Sequence, residues 1–274
     1  MFSRFLFRLA LLLTVLYSLA PFLWQVLTSL KPSHEVFSIP PTYWPSQLSL
    51  ESYQMVFTLR PFARYIGNSM IVASGTALLT ISIAILASYA LSRFRLKGSQ
   101  SIQMGLLGIA LFPPIVLAVP LYEGIRALGL VNHPLALVLP YSVLNLPFAT
   151  WALSGFFLQF PGELEDAAKV DGFSRMGILF RVILPISAPV LATTAILVFI
   201  FAWNEFLFAL TFMTRDAART VPVGIAMLSG VTVYEVPWDQ ISAAVVVTTL
   251  PVVVVVILFQ RWIVHGLTAG AIKG

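Results

Sequence analysis

The chain has 274 residues, of which 59% are hydrophobic and only 10% are charged, whereas soluble domains carry about 25% charged residues. This composition excludes an ordinary soluble domain and predicts an all-α polytopic membrane protein. The net charge of +5 does not indicate nucleic-acid binding, because the basic residues are scattered and fit the loop charges that orient a membrane protein. Cysteine is absent, which excludes a disulfide framework and a thiolate metal site.

Six apolar segments are long enough to cross a bilayer as helices. The first could be a signal peptide, since Arg4 and Arg8 precede it, but its apolar stretch exceeds the usual length and no small-residue cleavage site follows. We therefore expect an uncleaved first span. Prolines interrupt the third, fourth and sixth segments and predict either kinked, rearranging spans or static irregularities. The predicted spans of this single transmembrane domain are about 9–30, 65–91, 101–122, 134–158, 186–213 and 241–264.

The basic residues predict the orientation. With the N-terminus inside, ten of the 16 Lys and Arg residues fall on the inner side and six on the outer side. Arg93, Arg95 and Lys97 occupy one very short connection, where the positive-inside rule is most reliable. We therefore expect both termini, and the loop at 159–185, to face the cytoplasm.

That loop is a charged island between the fourth and fifth apolar segments. Pro161 and Gly162 end the preceding helix, and acidic residues follow at the positions that a new helix N-terminus favours. Gly172 supplies a stop signal, and the small Ala167 and Ala168 permit close approach of another surface. The pattern predicts a short helix that is offered to a soluble partner.

The sequence contains none of the common catalytic patterns. It has no phosphate-binding Gly-rich loop that ends in Lys and Ser or Thr, and no serine nucleophile motif. His34, His133 and His265 lack metal-ligand spacing with carboxylates. We expect a non-catalytic chain without a metal or cofactor of its own, whose energy source lies elsewhere.

One acidic residue lies within a predicted span. Glu205 follows Trp203 and Asn204, and a buried acid normally faces the bundle interior or a water-filled cavity. These three residues are candidates for a translocation path or gate. The alternative is a structural hydrogen bond from Glu205 to a neighbouring span or subunit.

Residues 166–185 resemble a known family signature. Asp166-Ala167-Ala168, Gly172 and, after nine intervening residues, residues 182–185 (VILP) are similar to the cytoplasmic loop of binding-protein-dependent ABC importer permeases. Asp166 stands for the usual Glu, and Val182 for the usual Ile. The resemblance extends to the six-span members of the maltose-type carbohydrate permeases, through residues 87–94 (ASYALSRF), 203–206 (WNEF) and 266–274 (GLTAGAIKG).

The resemblance implies a type I ABC importer permease fold in a prokaryotic inner membrane, working by alternating access. It implies a homologous second permease, an external solute-binding protein that faces the 214–240 loop, and two ATP-binding subunits that hold ATP and Mg. The implied cargo is a sugar or a related polyol or glycoside, held mainly by the partner permease. Import of an amino acid, a peptide or phosphate is the alternative, followed by a stand-alone secondary carrier. The implied ATPase contacts are the coupling helix (Glu165, Asp166, Ala167, Ala168, Asp171, Gly172) and the tail (Thr268, Gly270, Lys273).

Overall fold

The computed structural model describes the backbone of residues 2–94, 96–228 and 236–271, and the side chains of residues 4–94, 96–228 and 236–260. Within these ranges every regular element is a helix. In chain order they are α1 (Phe2–Ser29), α2 (Ser33–Val36), α3 (Glu51–Leu59), α4 (Phe62–Arg93), α5 (Ser99–Ala110), α6 (Pro114–Ala127), α7 (Leu135–Gln159), α8 (Gly162–Val170), α9 (Arg175–Ile186), α10 (Ala188–Asn204), α11 (Leu207–Phe212), the short 3-10 turn Asp216–Ala218, α12 (Val221–Ala226) and α13 (Trp238–Ala271).

Four helices are long and apolar enough to span a membrane: Arg4–Ser29 within α1, α4, α7 and Trp238–Gln260 within α13. Two further pairs reach that length together but are bent, α5 with α6 by 89° and α9 with α10 by 79°. By length and composition, the described part of the chain therefore contains four candidate spans, or up to six if each bent pair is one span. The predicted all-α polytopic membrane fold is confirmed.

The predicted segments 101–122 and 186–213 each contain a helix break. Pro113 lies in an extended conformation before α6, because a proline restricts the residue before it and cannot continue a helical hydrogen-bond ladder. The second segment is divided at Glu205, whose backbone is also extended. Hydropathy alone does not reveal either break, since both lie in apolar surroundings.

The chain divides into two units, residues 1–66 with 223–251 and residues 67–222 with 252–274. In the first unit, the segment between α1 and α4 is folded by buried polar contacts. Asp239 at the start of α13 accepts hydrogen bonds from Ser33 Oγ at 2.8 Å and Ser52 Oγ at 2.9 Å. Glu35 accepts hydrogen bonds from the hydroxyl and the amide of Ser46, which lower the pKa of this carboxyl.

Also in the first unit, α12 approaches the beginning of α4 very closely. A Cβ atom added at Gly224 would lie 2.3 Å from Cδ2 of Tyr65. The Tyr65 ring is 1% exposed and packs edge-on against Phe62 at 5.4 Å between centroids. Glycine permits this contact, because any β-carbon at position 224 would overlap the buried ring.

In the second unit, α4 packs against α7 through small residues. Ala84, Ala149 and Leu153 share a buried cluster with Val198 of α10, and Ser88 Oγ donates to the carbonyl of Thr150 at 2.9 Å. Small side chains let two membrane helices approach closely, which gains van der Waals contact where the hydrophobic effect gives little. The pair α4 and α7 is thus the scaffold on which α8 is placed.

Candidate functional site

The predicted short helix between the fourth and fifth apolar segments is α8. It begins after Pro161, with Glu163 and Glu165 in its first turn, where acids interact favourably with the helix dipole. It ends in a Schellman motif, in which Gly172 N donates to the carbonyl of Lys169 and Phe173 N to that of Ala168, both at 3.0 Å. Gly172 has φ +81°, a conformation that glycine adopts without strain.

The two sides of α8 have different surroundings. Glu165 and Ala168 are buried against this chain's own helices, whereas Asp166 and Ala167 are exposed and Val170 is 88% exposed. We call Asp166, Ala167 and Val170 the outward face. Asp171 and Gly172, which end the helix, are exposed as well. Of the six predicted docking residues, four are therefore exposed, whereas Glu165 and Ala168 are buried against other helices of this chain.

Sequence reasoning missed the apolar part of the exposed surface. Leu164 is 44% exposed at the margin of the outward face, in addition to Val170. Two exposed aliphatic side chains on a nine-residue helix with four charges are a signal for a partner surface that the sequence already contained. The prediction rested on the charged and small residues of this helix instead.

Glu165 forms a nearly buried ion pair. Its Oε1 lies 2.8 Å from Nε of Arg93, with side-chain exposures of 11% and 16%. The contact is an ion pair rather than a well-aligned hydrogen bond. Arg93 also donates through Nη2 to the carbonyl of Phe160 at 2.8 Å. One guanidinium at the end of α4 therefore holds both the end of α7 and the inward side of α8.

An apolar cluster supports the same arrangement. Ala168 of α8 packs with Tyr89 of α4, Phe157 of α7, Phe160 and three residues of α9, all of them buried. Tyr89 OH also donates to the carbonyl of Arg175, at the start of α9, at 3.3 Å. Close packing of this kind transmits displacement between the helices that contribute to it. This cluster thus joins the four helices α4, α7, α8 and α9.

On its exposed side α8 carries a second ion pair. Lys169 Nζ lies 2.8 Å from Oδ1 of Asp166, with side-chain exposures of 57% and 73%. Hydrogen bonding and charge from Lys169 lower the pKa of Asp166, and the same contact raises the pKa of Lys169. Such an exposed pair contributes little to stability, so Asp166 can exchange Lys169 for a cation of a partner at small cost.

The candidate path residues are placed at the break between α10 and α11. Glu205 accepts hydrogen bonds from Phe208 N at 3.0 Å and Ala209 N at 3.2 Å, and from the hydroxyl of Tyr141 in α7. Its carboxylate thus caps α11 and joins it to α7. The structural hydrogen bond that was the alternative for Glu205 is present, and the gate role stays a prediction.

The two residues before Glu205 point to different surroundings. Trp203 is 4% exposed and stacks on Phe199 at 5.8 Å between ring centroids. Asn204 is exposed, and its Nδ2 donates to the carbonyl of Ile200 at 2.8 Å. Of the three residues, Asn204 is therefore the one that is exposed in this chain.

Comparison with known proteins identifies the family. The profile described as "binding-protein-dependent transport system inner membrane component" matches residues 81–269, which include α8 and both breaks. The chain belongs to this family. The predicted resemblance is confirmed, and the chain is a multi-pass membrane subunit of such a transport system.

Curated relatives cover nearly the whole permease. The trehalose/maltose transport system permease protein of Thermococcus litoralis is 45% identical over 99% of this chain and 98% of its own length. The sulfoquinovosyl glycerol transport system permease protein of Agrobacterium fabrum is 44% identical over 93% and 89%. The trehalose transport system permease protein of Mycobacterium tuberculosis is 40% identical over 96% and 95%.

A solved structure shows the same fold. A chain of a bacterial ABC transporter that imports the acidic polysaccharide alginate matches with a TM-score of 0.77 and 18% identity, over 96% of each chain. A chain of the alginate transporter in complex with its pentasaccharide-bound periplasmic protein matches with a TM-score of 0.66 and 16% identity, over 94% of each chain.

The predicted tail contacts fall largely outside the described residues. Thr268 and Gly270 lie in the backbone of α13, but their side chains are not described, and Lys273 lies beyond the described residues. The 214–240 loop is described up to residue 228 and from residue 236. Its first part is held in the second unit by Asn68, whose Nδ2 donates to the carbonyls of Ala217 and Arg219 at 3.0 and 2.9 Å.

Proposed function

We propose that this chain is the membrane-spanning permease of an ATP-driven importer for a sugar or a related polyol or glycoside. An external binding protein delivers the solute, and ATP is hydrolysed by separate subunits that bind ATP and Mg. A homologous second permease completes the path. In this proposal both termini and α8 face the cytoplasm. The named sugar and glycoside permeases among the relatives support the solute class.

The observation that carries the proposal is the two-sided construction of α8. Its outward face combines exposed apolar surface at Val170 with an acid, Asp166, whose present partner is exchangeable. Its inward side is fixed by the Arg93–Glu165 ion pair and by the cluster around Ala168. A helix of this kind can bind a partner through its outward face, and its inward contacts can transmit a movement of the helix to the membrane-spanning helices.

The mechanism follows from these contacts. When the ATP-binding subunits close, the docked α8 moves, and α4, α7 and α9 move with it because they share one packed cluster. Helices α9 and α10 meet at Ser187 with a bend of 79° and with prolines on both sides. This bend turns the displacement toward α10, which ends just before Glu205. Alternating exposure of the path is the result.

Docking is tested by one substitution and a matched control. Val170→Asp should abolish co-purification with the ATP-binding subunit, because a charge would replace apolar contact surface on the outward face. Leu48→Asp is the control, since Leu48 is 77% exposed on another part of the chain. Co-purification of the Val170→Asp variant at the wild-type level would contradict the assignment of α8.

The solute class is tested separately, by uptake into proteoliposomes that contain the complete importer and its binding protein. Maltose, trehalose and a sulfoquinovosyl glycerol are offered beside an amino acid, a dipeptide and phosphate. ATP-dependent uptake of a carbohydrate is the expected result. Uptake of only a non-carbohydrate would retain the importer and refute the solute class, and uptake without ATP would refute the importer.

A further inference from the structure

A basic cavity lies between α8 and the end of α4. Its volume is about 270 Å³, and its lining includes three cations, Arg93, Lys169 and Arg175, and one acid, Glu165. Because Glu165 is paired with Arg93 at 2.8 Å, its charge compensates that of Arg93. The charge of Arg175 remains at the cavity, whereas that of Lys169 is shared with the exposed Asp166 at 2.8 Å.

Arg175 has no carboxylate partner among the described side chains. Its Cζ lies 5.1 Å from the centroid of the Phe94 ring, which holds the guanidinium by a cation–π contact without neutralising it. Lys169 has a partner in Asp166, but both side chains are largely exposed, and an ammonium group has three donors of which Asp166 takes one. Two cationic groups with free donors are therefore directed at one cavity.

The position of the cavity indicates which anion would reach it. Arg93 is the last residue of α4, a candidate membrane span. In the proposed orientation this end of α4 faces the cytoplasm, so the cavity would lie on the side of the cytoplasmic lipid headgroups. Basic pockets between spans at this level bind the phosphates of anionic lipids. The guanidinium fork matches phosphate oxygens in a bidentate manner, and the cavity is large enough for one such group.

We propose that this cavity binds a phosphate group, supplied by the headgroup of an anionic phospholipid, with Arg175 and Lys169 as its main donors. The site does not depend on the transport function. Docking and the cavity use different side chains of α8. Glu165 and Lys169, one turn apart, line the cavity, whereas Asp166, Ala167 and Val170 form the outward face; the two surfaces adjoin at the Lys169–Asp166 ion pair.

Lipid binding to the purified full-length chain tests the proposal by native mass spectrometry. Phosphatidylglycerol is titrated against phosphatidylcholine in detergent, for the wild type, Arg175→Gln and Arg181→Gln. Loss of one basic contact should weaken phosphatidylglycerol binding about fivefold, equivalent to about 1 kcal/mol. Arg181 is the matched control, because it is also exposed and stacked on an aromatic ring, 5.5 Å from Phe173, but does not line the cavity.

Addition of inorganic phosphate distinguishes the two sources of the group. Selective phosphatidylglycerol binding that is lost only in Arg175→Gln supports the lipid headgroup. If inorganic phosphate instead binds with the same dependence on Arg175 and phosphatidylglycerol does not, the site takes a soluble phosphate. Equal loss in both Arg variants, or no selective binding of either ligand by the wild type, overturns the proposal.

A second variant protects the test against a folding defect of Arg175→Gln. Lys169→Gln changes an exposed side chain and should reduce binding by a similar factor. Arg175→Lys, which keeps the charge but loses the guanidinium fork, should bind less tightly than the wild type and more tightly than Arg175→Gln. Wild-type affinity in Lys169→Gln together with an unfolded Arg175→Gln would overturn the site as assigned.

Discussion

Gly172 offers the sharpest test of how α8 is held. Apart from its chain neighbours, no heavy atom of this chain lies within 4 Å of a Cβ added at this glycine, so within the chain a substitution acts through the backbone. With φ at +81°, alanine should cost about 1–2 kcal/mol. Asparagine, which tolerates this conformation, should cost less than alanine, and β-branched valine should approach about 3 kcal/mol.

The backbone strain in these variants would be relieved at the end of α8. Release of φ breaks the two 3.0 Å hydrogen bonds of the Schellman motif, each worth about 0.5–1.5 kcal/mol, and changes the direction in which the chain leaves α8. The expected result is therefore graded: Gly172→Asn transports almost normally, Gly172→Ala less well, and Gly172→Val loses coupling between ATP hydrolysis and uptake. Thermal unfolding and ATP-dependent uptake in proteoliposomes measure the two effects.

Gly129 provides the matched control. It has φ +69° and also no atom within 4 Å of an added Cβ, but it lies in the turn after α6. Gly129→Val should show a similar loss of stability with uptake still coupled to ATP hydrolysis. The reasoning is refuted if Gly172→Val transports at the wild-type level, or if Gly129→Val uncouples to the same extent.

Three other substitutions test contacts of the described residues. Glu165→Gln should lower the free energy of unfolding by about 1–3 kcal/mol, because the charge of Arg93 is left without its partner. Adding Arg93→Gln should recover part of this loss. Strictly additive effects of the two substitutions in thermal unfolding would show that the pair is not coupled. Gly224→Ala should destabilise by about 1–3 kcal/mol or more through overpacking against Tyr65, and a melting temperature equal to the wild type would contradict the close approach. Glu205→Ala should lower the free energy of unfolding by about 1–3 kcal/mol, because a helix cap and a hydrogen bond to a charged group are lost, and Glu205→Gln should lower it less. If both variants instead abolish uptake at unchanged stability, the charge serves the path and not the fold.

The local features of α8 could be predicted from the sequence, but its orientation could not. Acids after Pro161 and a glycine stop are short-range signals, so the existence and the end of this helix follow from neighbouring residues. Whether Glu165 faces outward depends on Arg93, which belongs to a different helix. A docking residue and a residue paired within the chain look the same at the level of one helix.

The helix breaks show a similar limit. Pro113 and Pro114 indicated a kink, but the 89° bend between α5 and α6 depends on how these helices pack against the rest of the unit. At Glu205 the high hydropathy of the flanking residues suggested one continuous span. An acid three residues before an amide that needs a partner is also a capping signal, and reading Glu205 in that way would have located the break.

The separation of α8 into two sides has an evolutionary consequence. In the proposed importer, substitutions on the outward face are constrained by the ATP-binding subunit, and those at Glu165 and Ala168 by contacts within this chain. The two sets can therefore diverge independently. A chimera that receives only the outward residues of a relative should bind that relative's ATP-binding subunit and keep its own fold. One permease could then be adapted to different ATP-binding subunits by changes at very few positions.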